Sequence, residues 1–385
     1  MPIEPRSPEK IVRYKGSMDR TFLILVLILI CFGSVMVFSA SYAYSMAKND
    51  GNGYAFISKQ IINVLIGLVL MFVVSHVLDP HFLERNAKRA YVITCLLLLL
   101  VFIIGTVGGG AKRWLVIAGI SIQPSEIAKA TLVFVLASHF QKNSEKITNP
   151  KNTKEGIIYG LVHPLLYTGI VCGLVILQPH LSGTIILFLI GIAVMWAGGT
   201  SAKAILIPGA VGGTLLTAVA LLVPYTKRRI DIWLHPENDL TGDGWQTIQG
   251  LRAIGSGGLL GLGPANSRQK HMYVSQPQND FIFSILCEEL GFIGAVAVII
   301  LFILLIIRGY QIAIKTPDTF SSLVVTGIIS KIGIQAAFNI GVVTNLIPNT
   351  GVSLPFFSYG GSSTIVLLVE MGVILSISRF SRQER

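Results

Sequence analysis

Asp280 stands between a polar run, Ser275-Gln-Pro-Gln-Asn279, and an apolar helix that opens Phe281-Ile-Phe-Ser-Ile-Leu, with Glu288 and Glu289 about two turns inside it. Ionisable groups at membrane depth cost roughly 2.5–3.5 kcal/mol each on the insertion scale, so acids placed there are candidates for function. A positioned carboxylate can take the proton of a hydroxyl nucleophile, an effect worth about 10²–10⁴ in rate. Phe281, Ile282 and Phe283 would desolvate Asp280 and raise its pKa, nearby cations would lower it, and the sequence leaves that balance open.

Cations that could meet an anionic substrate are Lys112, Arg113, Arg228, Arg229, Arg268 and Lys270. Arg and Lys forks bind anionic groups, although each of these side chains could equally be an interfacial anchor with its stem in the bilayer. Glu126 and Lys129, three apart on one helix face, are either a local pair or the shapers of a cavity floor. Glu288 and Glu289 have the same two readings, as cavity-shaping groups or as buried structural acids bonded to nearby backbone or Lys. Lys331 and Glu370 fall mid-span in the last two helices, where a buried charge needs a partner, and they are expected to pair with each other or with another buried charge. Ser358-Tyr-Gly-Gly-Ser-Ser363 has no neighbouring His or acid and does not read as a nucleophilic serine site.

Three segments must position these groups. The first is Gly108-Gly-Gly-Ala-Lys112-Arg113-Trp-Leu, continuing through Gln123-Pro-Ser-Glu126-Ile-Ala-Lys129. The second is the loop 225–280, and the third is Asn345 to Ser363. Their Gly and Pro density implies backbone that is neither helix nor strand, tolerated at a membrane only where protein buries it or it lines a wet cavity. Within the long loop, 244–254 reads as a short amphipathic interfacial helix. Gly255-Ser-Gly-Gly258 and Gly261-Leu-Gly263 follow as backbone able to approach a ligand closely, or simply as tight turns.

The rest of the chain is membrane. Hydrophobic residues make up 52% and charged residues 13% of 385, with mean hydropathy +0.70. A soluble domain would carry about twice that charge. Ten apolar runs are long enough to span about 30 Å as helices: 20–41, 60–78, 89–107, 124–140, 156–177, 182–198, 202–224, 281–307, 320–345 and 356–378. The expected fold is an all-α polytopic membrane protein of about ten transmembrane helices, with a long extracytoplasmic loop between the seventh and eighth. Lys and Arg are commonest in the tail 1–18, around Arg85–Arg89, in the charged connector 141–156 and in the tail 381–385, which makes those segments and both termini cytoplasmic. The three irregular segments then share the outer side. The net charge of +11 is this bias plus attraction to anionic lipid, and it gives no reason to expect nucleic acid. Cys31, Cys95, Cys172 and Cys287 all lie in predicted spans, with no disulfide or metal spacing.

Across residues 19–380 the chain resembles the SEDS family of membrane glycosyltransferases, which includes FtsW, RodA and SpoVE. The resemblance rests on Lys112-Arg-Trp-Leu with Gln123-Pro-Ser-Glu-Ile-Ala-Lys129, Gly255-Ser-Gly-Gly, Asp280-Phe-Ile-Phe with Glu288-Glu-Leu-Gly291, and Pro348-Asn-Thr-Gly-Val-Ser-Leu-Pro-Phe-Phe-Ser-Tyr-Gly-Gly-Ser-Ser363. It implies a polymerase that joins lipid II, an undecaprenyl-diphosphate-linked disaccharide-peptide, into peptidoglycan strands at the outer face of the bacterial cytoplasmic membrane. Asp280 falls on the family's catalytic acid. Gln123, Ser358 and Gly360 join the cations as expected substrate-binding positions. A divalent cation, Mg or Mn, is an optional addition with no assigned ligands. Expected partners are the nascent strand, a class B penicillin-binding transpeptidase and other division or sporulation membrane proteins. Ser267-Arg-Gln-Lys270 is more similar to FtsW and SpoVE than to RodA, which points to septal or spore-cortex synthesis.

Two departures stand out. Gln276 occupies the place of a common Glu, and Gln178-Pro-His180-Leu-Ser-Gly-Thr184 carries His where the family has Asp, with one residue more. Two other classes, a lipid II flippase and a non-catalytic division scaffold, remain as alternatives. The crowding of ionisable residues at one face, without paired broken helices, argues against the first. The second leaves Asp280 without a role.

Overall fold

The computed structural model describes residues 16–108, 111–117, 120–148, 153–222 and 224–380. Most of the two expected tails, Gly109 and Gly110 of the first irregular segment and Lys151 of the connector lie outside these residues.

The chain forms α1 (Arg20–Lys48), α2 (Ala55–Val77), α3 (Pro80–Ile104), β1 (Thr106–Gly108), β2 (Ala111–Ile117), β3 (Ile120–Ile122) and α4 (Pro124–Lys142). Two single turns, α5 (Ser144–Thr148) and α6 (Thr153–Ile157), and a π-helical turn at Ile158–Val162 lead into α7 (His163–Ile176). Then come α8 (Leu181–Ala197), α9 (Ala202–Leu222), α10 (Pro224–Leu234), α11 (Asp243–Ser256), α12 (Ile282–Lys315), α13 (Thr319–Val343) and α14 (Gly361–Ser378). A helix occupies each of the ten predicted positions, and among the described residues seven helical stretches are long and apolar enough to cross a membrane, the fourth being the continuous run Lys154–Ile176 that ends in α7. Of the others, α8 is apolar but has 17 residues, and α4 carries Glu126, Lys129 and Lys142.

Local chemistry sets the boundaries. Asp19, Asp79 and Asp318 start α1, α3 and α13 as N-caps, accepting from the amides of Phe22, His81 and Ser321 at 2.9 Å each. Pro80 and Pro124 take the first helical positions, where no amide donor is required. The last helix starts at Gly361, later than the apolar run that begins at 356, because Phe356 and Phe357 belong to a loop that enters the bundle.

Most of α4, α13 and α14 is buried, and these three helices form the centre against which the others pack. Being wrapped in protein, α4 need not be apolar, which explains the charges in its first turns. The first irregular segment is a correction. Residues 106–108, 111–117 and 120–122 form a three-stranded antiparallel sheet, order β1-β2-β3, with Trp114 opposite Thr106 and Leu115 opposite Ile122. Its own strand pairing satisfies the backbone that the Gly-rich sequence had suggested was irregular.

The glycine-rich stretch of the long loop is a second correction. α12 is interrupted at Gly291, with φ 65° and ψ −166°, a conformation reserved for glycine. Residues 257–263 insert at that break. Leu262 and Gly263 amides donate to the Glu288 and Glu289 carbonyls at 2.9 and 3.0 Å, and the Phe292 amide donates to Gly258 O at 2.8 Å. A Cβ on Gly257 would lie 2.0 Å from the Cys287 carbonyl oxygen. These glycines allow backbone to approach α12 rather than a ligand. The predicted amphipathic helix 244–254 is present as α11, packed on α12.

Candidate active site

Asp280 occupies the turn before α12, and the segment 345–360 holds it there. That segment descends into the bundle until Phe356 meets α1, where a Cβ on Gly33 would stand 2.1 Å from its carbonyl oxygen. Phe357 is fully buried and meets Phe32 edge-on at 5.5 Å. Non-helical backbone at this depth needs partners, and side chains supply them. The Asn339 amide donates to the carbonyls of Asp280 and Val352, both at 2.7 Å. Ser358 Oγ accepts from the Leu354 amide at 2.7 Å and donates to Asn279 O at 2.8 Å, while the Tyr359 amide donates to Gln278 O at 2.8 Å. The two strands of this knot fix the Asp280 backbone from both sides.

The carboxylate itself faces Gly351, whose φ is +66° and whose hypothetical Cβ would lie 3.2 Å from Asp280 Oδ2. Arg229 of α10 donates to Asn349 O at 2.7 Å, and Ser182 at the start of α8 donates to Thr350 O. Trp233 and Asn345 exchange side-chain to backbone bonds at 2.9 and 3.4 Å and dock α10 on the same segment. Burial raises the Asp280 pKa to about 6, and the Arg229 charge opposes it without cancelling it. The residue is only partly covered, so it can meet a ligand.

The hairpin supplies a second wall. Arg113, half-buried on β2, donates to the carbonyls of Gln178 (3.4 Å) and Pro179, while Lys112 is exposed. Gln178 is held in turn through its amide to Leu98 O at 2.9 Å. His180 follows, with a buried Nδ1 that has no hydrogen-bond partner among the described residues. Burial, reinforced by Arg113 and Lys129, lowers its pKa to about 3, so the ring is neutral. Residues 178–182 therefore strap the Arg113 hairpin to the Asn349–Gly351 backbone beside Asp280. The Gln123 amide donates to Ser362 Oγ at 3.2 Å, and the Gly360 amide to Gln60 Oε1 at 3.3 Å.

Two buried ion pairs form the floor: Glu126–Lys129 at 2.7 Å and Lys331–Glu370 at 2.5 Å. The last two are thus each other's partner. A polar cavity of about 30 Å³ separates this floor from the re-entrant segment, with Glu126, Lys331, Gln335 and Ser358 among its walls. It is large enough for water.

Other expected site residues are placed differently. Lys270 is buried, and its ammonium donates to Ser39 Oγ, Ala265 O and Glu289 Oε1 at 3.1, 2.6 and 2.8 Å. All three donors are used, so the expected phosphate contact does not fit this arrangement. Glu289 also accepts from Ser39, and Glu288 accepts from Ser267 Oγ and from the Arg268 and Gln269 amides, so both acids fasten the loop to α12. Arg228 is largely exposed and lies 3.5 Å from Asp239, and Arg268 is exposed. Ser358 spends its hydroxyl on the knot, and Gly360 spends its amide on Gln60 of α2. Among the described residues no three His, Cys, Asp or Glu gather closely enough to hold a metal ion, and Gln276 removes one carboxylate. These side chains alone do not make a metal cage. Asn339 is the residue that sequence reasoning missed, and its signal was a second buried amide one turn after Gln335 in an otherwise apolar stretch.

Residues 19–383 match the family model described as cell cycle protein, FtsW/RodA/SpoVE. The chain is 38% identical to stage V sporulation protein E of Bacillus subtilis (strain 168), covering 96% of this chain and 99% of that one. It is 36% identical to the probable peptidoglycan glycosyltransferase FtsW of Geobacter sp. (strain M18), covering 94% and 96%. A solved structure described as "Structural coordination of polymerization and crosslinking by a peptidoglycan synthase complex" contains a chain with TM-score 0.78 and 28% identity, covering 94% and 98%. The ordered motifs, the helical membrane architecture and these likenesses agree: the chain belongs to the FtsW/RodA/SpoVE family.

Proposed function

We propose that this protein is a peptidoglycan glycosyltransferase that polymerises lipid II at the outer face of the cytoplasmic membrane, with Asp280 as general base. The observation that carries the reading is the Asp280 carboxylate, pinned through its own backbone, raised to a pKa of about 6 and flanked by Arg229. A base with that pKa is ionised at neutral pH yet basic enough to accept a hydroxyl proton.

The acceptor sugar hydroxyl gives its proton to Asp280 as its oxygen bonds to the anomeric carbon of the growing strand. The bond from that carbon to the lipid diphosphate breaks, and the diphosphate leaves with the electron pair. Arg229 and Arg113, the two arginines tied into the cavity wall, would meet its charge, and the exposed Lys112 and Arg268 are further candidates. Neutral His180 would offer a hydrogen bond without adding charge.

The outward orientation, with both termini cytoplasmic, follows from the Lys and Arg bias. Similarity to stage V sporulation protein E and FtsW supports work in septal or spore-cortex synthesis beside a class B penicillin-binding transpeptidase. The test is labelled lipid II given to the purified chain with its transpeptidase. Strands from wild type and none from Asp280→Asn are expected, with Arg113→Ala and Arg268→Ala weaker than Lys146→Ala. Translocation of intact lipid II without strands from either protein would instead make it a flippase.

A further inference from the structure

A groove of about 930 Å³ opens where α2 ends and α3 begins, floored by Val73, Val74, Val77, Leu78 and Phe82. α3 has 25 residues, so at about 1.5 Å per residue the groove lies roughly 37 Å from the end that leads into the Arg113 hairpin. That distance spans the bilayer and puts the groove at headgroup level of the leaflet opposite Asp280.

Its rim is charged. Asp79 is committed to capping α3 through the His81 amide, and Glu84 lies 3.7 Å from the His81 ring. Arg85 on α3 and Lys142 at the end of α4 also line the groove. Both are exposed, and neither has a hydrogen bond or ion pair among the described residues. The neighbouring Arg379 is already spent on the Ser75 and His76 carbonyls. Two uncommitted cations over an apolar trough are complementary to a phosphate ester carrying acyl chains. Basic pockets between helices at a membrane face recognise lipid headgroups in this way.

We propose that this groove is a binding site for one anionic phospholipid, its acyl chain along Val73, Val77 and Phe82 and its phosphate between Arg85 and Lys142. The site is independent of the reaction at Asp280. Occupancy would wedge the α2–α3 turn against the end of α4, the helix that carries Glu126 and Lys129.

The test uses the full chain in nanodiscs of phosphatidylcholine with a minor fraction of phosphatidylglycerol, read by native mass spectrometry after release into detergent. Wild type should retain one phosphatidylglycerol in preference to phosphatidylcholine. Arg85→Gln with Lys142→Gln should lose about thirtyfold in that preference, from about fivefold for each cation near the surface. Val77→Trp, which fills the trough and spares both cations, should lose it too, whereas Lys146→Gln should not. Removing exposed side chains that bond nothing leaves the fold intact, so their failure to matter would be informative. Retention unchanged by the double substitution overturns the proposal. So does equal retention of glycerol phosphate without acyl chains, which would make the site one for free phosphate esters.

Discussion

Arg229 Nη1 lies 2.7 Å from the carbonyl oxygen of Asn349, two residues before the glycine that faces the Asp280 carboxylate. One guanidinium thus shapes the wall and lowers the affinity of the base for protons. A base must be ionised to act, so kcat/KM is expected to rise with pH through about 6 and level off above it. Arg229→Gln removes the opposing charge and should move that limb to higher pH. A pH–rate profile checks this, and a limb unmoved by the substitution would separate Arg229 from the base.

The same burial has a consequence for stability. The folded-state pKa of about 6 exceeds the ordinary 3.8, so folding favours the protonated form. Stability from this group is full below about pH 4 and lost as pH rises through about 6. Asp280→Asn, locked neutral, should therefore melt a few degrees above wild type at pH 7.5 and level with it at pH 4, while making no strands. Thermal unfolding in detergent at the two pH values measures it. A lower midpoint at pH 7.5 would mean that the lost activity reflects damage to the fold.

The apolar runs made the helices legible, because a length of about 20 apolar residues is a direct physical demand of the bilayer. Asp280 drew attention for the opposite reason, as a charge where charge is costly. The resemblance added the motif order. What stayed hidden depends on which backbone meets which. Nothing local in Gly257–Gly263 distinguishes a ligand loop from a plug for a broken helix, since both need backbone without Cβ. Lys270 looked like a phosphate contact because its partners, Ser39 and Glu289, lie 231 and 19 residues away in sequence. The π-helical turn, the hairpin strands and the neutral state of His180 depend on tertiary surroundings in the same way.

The Gly291 break gives a sharp mutational contrast. A Cβ there would stand 2.3 Å from the Gly261 amide nitrogen, and one on Gly261 would stand 2.2 Å from Glu289 O. Both residues also have positive φ, which costs other residues roughly 1–2 kcal/mol before any clash. Gly291→Ala and Gly261→Ala should expel the 257–263 segment, exposing it to protease and stopping synthesis. Gly255→Ala meets nothing within 4 Å, lies in α11 and should gain about 0.5–1 kcal/mol of helix stability. Limited proteolysis of the three variants would decide the matter, and resistance of Gly291→Ala would refute the plug.

Lys270 and Glu289 test whether the loop is held by charge. Their ion pair at 2.8 Å is almost wholly buried, and removing one member of such a pair costs about 3–5 kcal/mol because the other is left charged and unpartnered. Lys270→Met alone should lower the thermal midpoint sharply. Adding Glu289→Gln, which keeps an acceptor for Ser39 and removes the stranded charge, should recover most of the loss. A Lys270 that bound the diphosphate would behave otherwise, raising KM for lipid II with stability unchanged and gaining nothing from the second substitution. Melting curves and KM on the two variants distinguish these outcomes, and rescue by Glu289→Gln would establish Lys270 as the anchor of the long loop.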